Sequence, residues 1–194
     1  MTFLENGPVR LVPLMLNHVG DHYLSWLNGP KERLYRGPKA FPAVMDDVVS
    51  YIASSRKMDC IVMAIETLVG KNHVGNISLN PINWIHGNSE LSILIGSSHH
   101  GMGYGRAAIE AVTKHAFGSM RLNRLWAESP NPAFNHIMTK LGWKHEGTKR
   151  EAFLLEGEQV DIQCWGLLKR EAKQPSGVPV EDGVKSSVVQ LKRS

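Results

Sequence analysis

The sequence predicts a single mixed α/β domain, and three observations carry that prediction. Between Glu90 and Ala116 a strand pattern (Leu91, Ile93, Ile95) passes through glycines at 101, 103 and 105 into helical spacing at Ala107, Ala108, Ala111, Val112, His115 and Ala116. Upstream, two short helical patterns precede a hairpin of strands. Downstream, a strand, a helix and an antiparallel pair close the chain's periodic part.

In chain order, Val9 to Leu14 reads as the first strand, with Pro13 near its end or on an edge. Asn17 is placed to cap a helix with Val19, Tyr23, Leu24, Trp26 and Leu27 inward, stopped by Asn28-Gly29-Pro30. Lys31 to Pro42 reads as a loop or broken helix, and Asp46 to Ser54 as a second helix with Val48, Val49 and Ile52 inward. Cys60 to Ile65 has the composition of a buried strand. Leu68 to Asn72 turns the chain, His73 to Asn80 is its hairpin partner, and Pro81 to Gly87 is a longer turn. Leu125 to Glu128 is a short strand. Asn131-Pro132 starts a helix that runs through Leu141 and ends at Gly142. Lys144 to Leu155 and Gln159 to Leu168 pair around Glu156-Gly157. Residues 1–170 form the expected domain; 171–194 mix Pro, Gly, Ser and charge without period, which predicts a flexible tail.

Composition narrows the function. The 194 residues suffice for one well-buried domain, and 42% hydrophobic residues permit a core. Twenty-two Lys and Arg against 18 Asp and Glu leave a net charge of +4, which suits an anionic ligand but is too small to argue for nucleic acid. Cys60 and Cys164 read as buried thiols rather than a disulfide framework. Nothing at the N-terminus resembles a signal peptide and no apolar run has the length of a membrane span, so a cytoplasmic setting without membrane contact is expected. Nine histidines include the adjacent His99-His100 but no cluster at ligand spacing, so no metal is expected.

The glycine loop carries the chemical signal. Glycines admit positive φ and close backbone approach, while a helix start presents unpaired N–H groups and partial positive charge. Together they form an anion cradle suited to a phosphate or pyrophosphate, with His100 and Arg106 beside it. No Lys-Ser/Thr follows, as a triphosphate-binding loop needs. The spacing is also not Gly-x-Gly-x-x-Gly, with no acidic residue about twenty positions on.

The segment His100-Gly101-Met102-Gly103-Tyr104-Gly105 resembles the pyrophosphate loop of the GNAT acetyltransferases, Arg/Gln-x-x-Gly-x-Gly/Ala, with His100 at the Arg/Gln position. The likeness runs from about Val9 to Leu168. It is nearest the branch of ribosomal-protein N-terminal acetyltransferases and acetyltransferases of amino sugars and antibiotics. It implies a mostly antiparallel twisted sheet, flanking helices and a V-shaped split that admits acetyl-CoA as co-substrate. Ile93, Leu94 and Ile95 would then pair with the pantetheine arm. Gly101 to Gly105 with His100 and Arg106 would hold the pyrophosphate. The run Asn131 to Trp143 resembles the family's next helix, in which Asn131 contacts the pantetheine arm or simply caps.

Acetyl transfer also needs a proton acceptor for the amine and a donor for the oxyanion. Glu90 and Glu128 are the candidate bases, each on a strand flanking the implied split; each also reads as an ordinary strand-end carboxylate. Phe134 and Met138 stand where other family members carry a Ser or Tyr proton donor, and neither can donate. Trp26, Tyr35, Arg36 and Trp84 come from regions that cover the acceptor side, or pack. The resemblance implies an N-acetyltransferase acting by direct transfer in a ternary complex on a small amine or amino-sugar nucleotide, with homodimers frequent in the branch. A protein N-terminal amine is the alternative acceptor. A non-catalytic acyl-CoA-binding module is the alternative of another class, and nucleic acid is not an expected partner.

Overall fold

A computed structural model describes residues 2–30, 33–35, 41–55 and 59–172. Among these, eight strands form one sheet in the order β1-β2-β3-β4-β5-β6-β8-β7. The strands are β1 (Leu4–Asn6), β2 (Val9–Pro13), β3 (Ile61–Thr67), β4 (His73–Asn83), β5 (Asn88–Ile95), β6 (Arg124–Ser129), β7 (Lys144–Leu155) and β8 (Glu158–Leu168). The helices are α1 (Asp21–Asn28), α2 (Met45–Ser54), α3 (Tyr104–Gly118) and α4 (Pro132–Lys140). Every pairing is antiparallel except β5 with β6, because α3 must carry the chain back before β6 can start. The mixed, mostly antiparallel sheet with flanking helices is the one expected from the sequence.

Alternation along the strands separates two cores. On one face Leu11, Met63, Ile65, Ile77, Leu79, Leu91, Leu125 and Leu167 pack with Ala108, Ile109, Val112 and Ala116 of α3 and Met138 of α4. On the other, Val12, Val62, Ala64 and Leu94 meet Tyr23 and Trp26 of α1 and Val48 and Ile52 of α2.

Four local details differ from expectation. The strand β1 has no apolar alternation to announce it, yet Asn6-Gly7, with Gly7 at φ +52°, is the turn signal that joins it to β2. Asn17 does not cap α1: it lies in the 3-10 turn Leu16–His18, and the helix starts later, with Gly20 at the cap. The buried Glu66 explains this, because it bonds Arg10 and reaches His18 Nε2 at 3.1 Å, pulling that turn onto the sheet. Val49 is 40% exposed, since an eight-to-ten-residue helix lying on a sheet buries only a narrow stripe, here Val48 and Ile52. Finally, β4 runs on to Asn83 through Pro81, with a register shift between Leu79 and Ile82 that absorbs the proline. Of the expected tail, 171–194, residues 173–194 lie outside the described residues, as does Arg36.

Candidate functional site

The parallel pair β5–β6 is joined only from Asn88 to Glu90 on one strand and Arg124 to Trp126 on the other. Beyond that point Leu91 to Ile95 keep their partners on β4 but have none on the β6 side, while Ala127 to Ser129 continue along β8. The two strands therefore part, leaving a V-shaped split whose β5 wall presents backbone N–H and C=O groups. Ile93, Leu94 and Ile95, all half buried, form that wall.

The glycine loop closes the wide end of the split. Gly101 and Gly103 sit at φ +77° and +79°, and a Cβ at either would meet nothing within 4 Å, so they line open space. Gly103 caps α3, whose first N–H groups at Tyr104, Gly105 and Arg106 lack intrahelical partners. At Gly96, by contrast, a Cβ would clash with the Trp26 indole. Trp26 thus packs under the strand end that leads into the loop and, only 5% exposed, is a core residue.

His100 has a more specific place than its sequence position implied. Its Nε2 lies 2.9 Å from the carbonyl oxygen of Ile95, so Nε2–H donates there and pins the loop to the end of β5. Only the protonated ring would then have an N–H left, at Nδ1, for an anion. Arg106 is exposed and paired along the helix with Glu110 at 3.0 Å. Met102 is half exposed, and Tyr104 is partly buried on the α3 core. Asn131 accepts from Ala133 N at 2.9 Å and so caps α4, the plainer of its two readings.

Glu90 and Glu128 are brought together across the split. Their strands are in register at Glu90–Trp126, and both side chains leave the sheet opposite Leu91 and Ala127, on the α1–α2 side. Loss of water around Glu90 and the nearby charge of Glu128 push its carboxyl above the ordinary value; a Ser92 hydroxyl hydrogen bond and Lys149 pull it back. Glu128 is engaged otherwise, ion-paired to Lys149 and accepting from Cys164 Sγ at 3.8 Å. Lys149 and Cys164 escaped sequence reasoning because they come from β7 and β8, and nothing local marks a strand residue as facing a split formed elsewhere. Proton donors are absent from α4 where the family resemblance looks for them: Met138 is fully buried and Phe134 packs on the core.

Beside Glu90 an open groove of about 490 Å³ lies between α1–α2 and the β4–β5 face. Tyr23, Asp47, Tyr51, Asn76, Ser78 and Ser92 are its polar lining, and Ser92 Oγ reaches Glu90 Oε1 at 3.5 Å. Trp84 sits in the β4–β5 turn, at the end of β5 opposite the glycine loop, and is 49% exposed. Tyr35 lies in the 3-10 turn Arg33–Tyr35, half buried, and contributes nothing to that lining. Among the described residues no group of three His, Cys, Asp or Glu is placed to hold a metal ion, and no helix is long and apolar enough to cross a membrane.

The sequence that builds this split and helix start is matched by a family model. The acetyltransferase (GNAT) domain model fits residues 9–144. The chain belongs to the GNAT acetyltransferases. Among sequence relatives it is 30% identical over 101 residues to a spermidine N(1)-acetyltransferase of Vibrio cholerae serotype O1, covering 51% of this chain and 58% of that protein. An uncharacterized N-acetyltransferase, p20, of Bacillus licheniformis is 29% identical over 100 residues, 50% of this chain and 56% of that protein. The matched stretch thus spans a little over half the length of these relatives. Among solved structures, the spermidine N-acetyltransferase from Vibrio cholerae in complex with CoA and spermine superposes with a TM-score of 0.75 at 22% identity, over 84% of this chain and 97% of that one. The microcin C7 self-immunity acetyltransferase MccE, in complex with acetyl-CoA and AMP, gives 0.68 at 18% identity, over 84% and 93%. At such identities the likeness is one of fold.

Proposed function

We propose that this GNAT protein transfers the acetyl group of acetyl-CoA directly to a primary amine of a small molecule held in the same complex. The observation that carries this reading is the split itself: a free β5 edge, a glycine-capped helix start at its wide end, and Glu90 on its wall. The open space at Gly101 and Gly103 fits a pyrophosphate, which the loop from His100 to Arg106 would hold through main-chain N–H groups. Ile93, Leu94 and Ile95 would hold the pantetheine arm, with Asn131 at the opposite helix start. Acetyl-CoA, when bound, supplies the activated acetyl group.

The acceptor amine enters the groove between α1–α2 and β4–β5. Glu90 takes its ammonium proton at a carboxylate oxygen, directly or through one water, and its raised pKa brings it nearer to the amine's. Glu128, tied to Lys149, holds the charge that keeps Glu90 basic. Neither Phe134 nor Met138 can give a proton, so the leaving thiolate takes its proton from solvent or another residue, or departs without a dedicated acid. The catalytic domain extends to about residue 170, because β8 carries the pairing with β6 to Leu168. The spermidine enzymes among the relatives support a small amine as acceptor. The cytoplasm, where acetyl-CoA is made and thiols such as Cys60 and Cys164 stay reduced, is the expected setting.

The test is a calorimetric titration with acetyl-CoA, run on the parent and on Gly103→Glu. Binding at about one per chain by the parent and none by the variant is expected. That variant puts a carboxylate in the anion cradle at a φ glycine alone adopts freely. Failure of the folded parent to bind at millimolar acetyl-CoA would overturn the proposal.

A further inference from the structure

At the apex of the split the last joined pair is Glu90 and Trp126, in register on β5 and β6. Trp126 is half buried, yet its indole packs in neither core, neither under α3 and α4 nor under α1 and α2. It lines a second cavity, of about 340 Å³, which extends from β6 to β8. Stability alone would surround so large an aromatic side chain with apolar neighbours. Here they are charged or small. Arg124 and Glu128 flank it along β6, Glu90 stands beside it on β5, and Gly166 faces it on β8 with the Glu146 carboxylate against that glycine.

Most of these charges are already paired. Arg124 holds Glu146 by two hydrogen bonds, and Lys149 holds Glu128. The Arg124 bonds keep the Glu146 carboxyl below the ordinary carboxylate range, so it stays ionised within its pair. Of the three carboxylates, Glu90 is the one without an ion pair among the described residues. One free carboxylate therefore stands next to one uncovered aromatic face. An indole can also attract a cation. Arg124 and Lys149, however, bring positive charge to either side of this one and oppose a second ammonium group.

We infer that Trp126 is the platform that holds the body of the acceptor, and that the acceptor is a monoamine carrying an aromatic ring. Its amine reaches Glu90 from the groove on the β4 side, and its ring lies on the indole on the β6 side. Neighbouring strands lie about 4.8 Å apart, so the ring stands about two carbons from the amine. This rests on the reading of Glu90 and the split as the place of acetyl transfer. Trp126 is a specificity-determining residue and takes no part in the proton transfer.

Three amines test it: phenethylamine, ethylamine, which lacks the ring, and spermidine. Acetylation is followed by thiol release. The ratio of kcat/KM for phenethylamine to that for ethylamine is compared among the parent, Trp126→Ala and Trp126→Phe, so that the amines' own pKa values cancel. Trp126→Ala is expected to lower the ratio roughly 10-fold or more, while Trp126→Phe, which keeps a flat ring, stays within about threefold of the parent. A ratio unchanged within about threefold in Trp126→Ala overturns the inference. A parent that uses spermidine faster than phenethylamine overturns it too.

The second measurement is made on the parent and needs no turnover. Of the five indole N–H resonances of the ¹⁵N-labelled protein, that of Trp126 is the one missing from Trp126→Phe. It is expected to shift with phenethylamine and not with ethylamine. Equal shifts, or none, overturn the inference. If acetyl-CoA fails to bind while phenethylamine still shifts Trp126, the transferase proposal falls and the platform stands. If acetyl-CoA binds and the two amines are not distinguished, the reverse holds.

Discussion

The two faces of the sheet are made by alternate residues of the same strands, yet they are built to different ends. Toward α3 and α4, Leu91, Leu125, Ala127 and Leu167 are at most 3% exposed and close a continuous apolar core. Toward α1 and α2, their immediate neighbours are Glu90, Ser92, Trp126, Glu128 and Gly166, and the face holds an open groove and an ion pair. Each face carries a core, but the second also holds groups that stability alone would not choose. The period-two alternation of a strand lets one segment serve both, because Leu91 anchors the wall from which Glu90 projects.

This comparison can be broken by substitutions on either face. The largest effect is expected for Glu90→Gln, which removes the proposed proton acceptor: kcat should fall roughly 10²- to 10⁴-fold while acetyl-CoA affinity and unfolding free energy stay near the parent's. Steady-state kinetics beside calorimetry would check it, and a fall in stability with unchanged kcat would refute the division of labour. On the opposite face, Met138→Ala leaves a cavity among fully buried neighbours and should cost about 2–5 kcal/mol in urea unfolding.

Asn131→Ala separates two readings of one residue. Loss of the bond to Ala133 N should cost about 1 kcal/mol of stability. If the pantetheine arm also depends on it, acetyl-CoA affinity falls further than stability accounts for; an unchanged affinity makes it a cap alone.

The smallest effect is a pH shift. Glu90 works only when ionised, so activity is lost as pH falls through its raised pKa. Lys149 lowers that pKa, and Lys149→Met should therefore move the acid limb of kcat/KM to higher pH. Glu128→Gln removes a charge that raises it and should move the limb the other way.

Much of the fold was legible along the chain because strands and helices leave local periods. The strand–loop–helix of β5, the glycines and α3 could be read from sequence, as could Asn131-Pro132 and Gly142 bounding α4 and the turn at Glu156-Gly157. Less legible were features decided by contacts with distant segments. Asn17 looked like a helix cap until Glu66, far along the chain, drew His18 into a turn on the sheet. Trp26 looked like a candidate for acceptor contact because an aromatic in a short amphipathic helix carries no mark of which neighbour it will bury against. That neighbour is Gly96, seventy residues on.

By itself, then, the sequence determined the order of elements from β2 onward, the glycine loop before α3 and the two carboxylates worth watching, since each depends on residue type and short-range spacing. Only the tertiary structure decided that the two carboxylates differ. Lys149 and Cys164 arrive from β7 and β8 to occupy Glu128, and Glu90 is left less solvated beside its charge. Electrostatic environment and hydrogen-bond satisfaction are sums over spatial neighbours, and those neighbours are assigned by the packing of the sheet, not by adjacency in the chain.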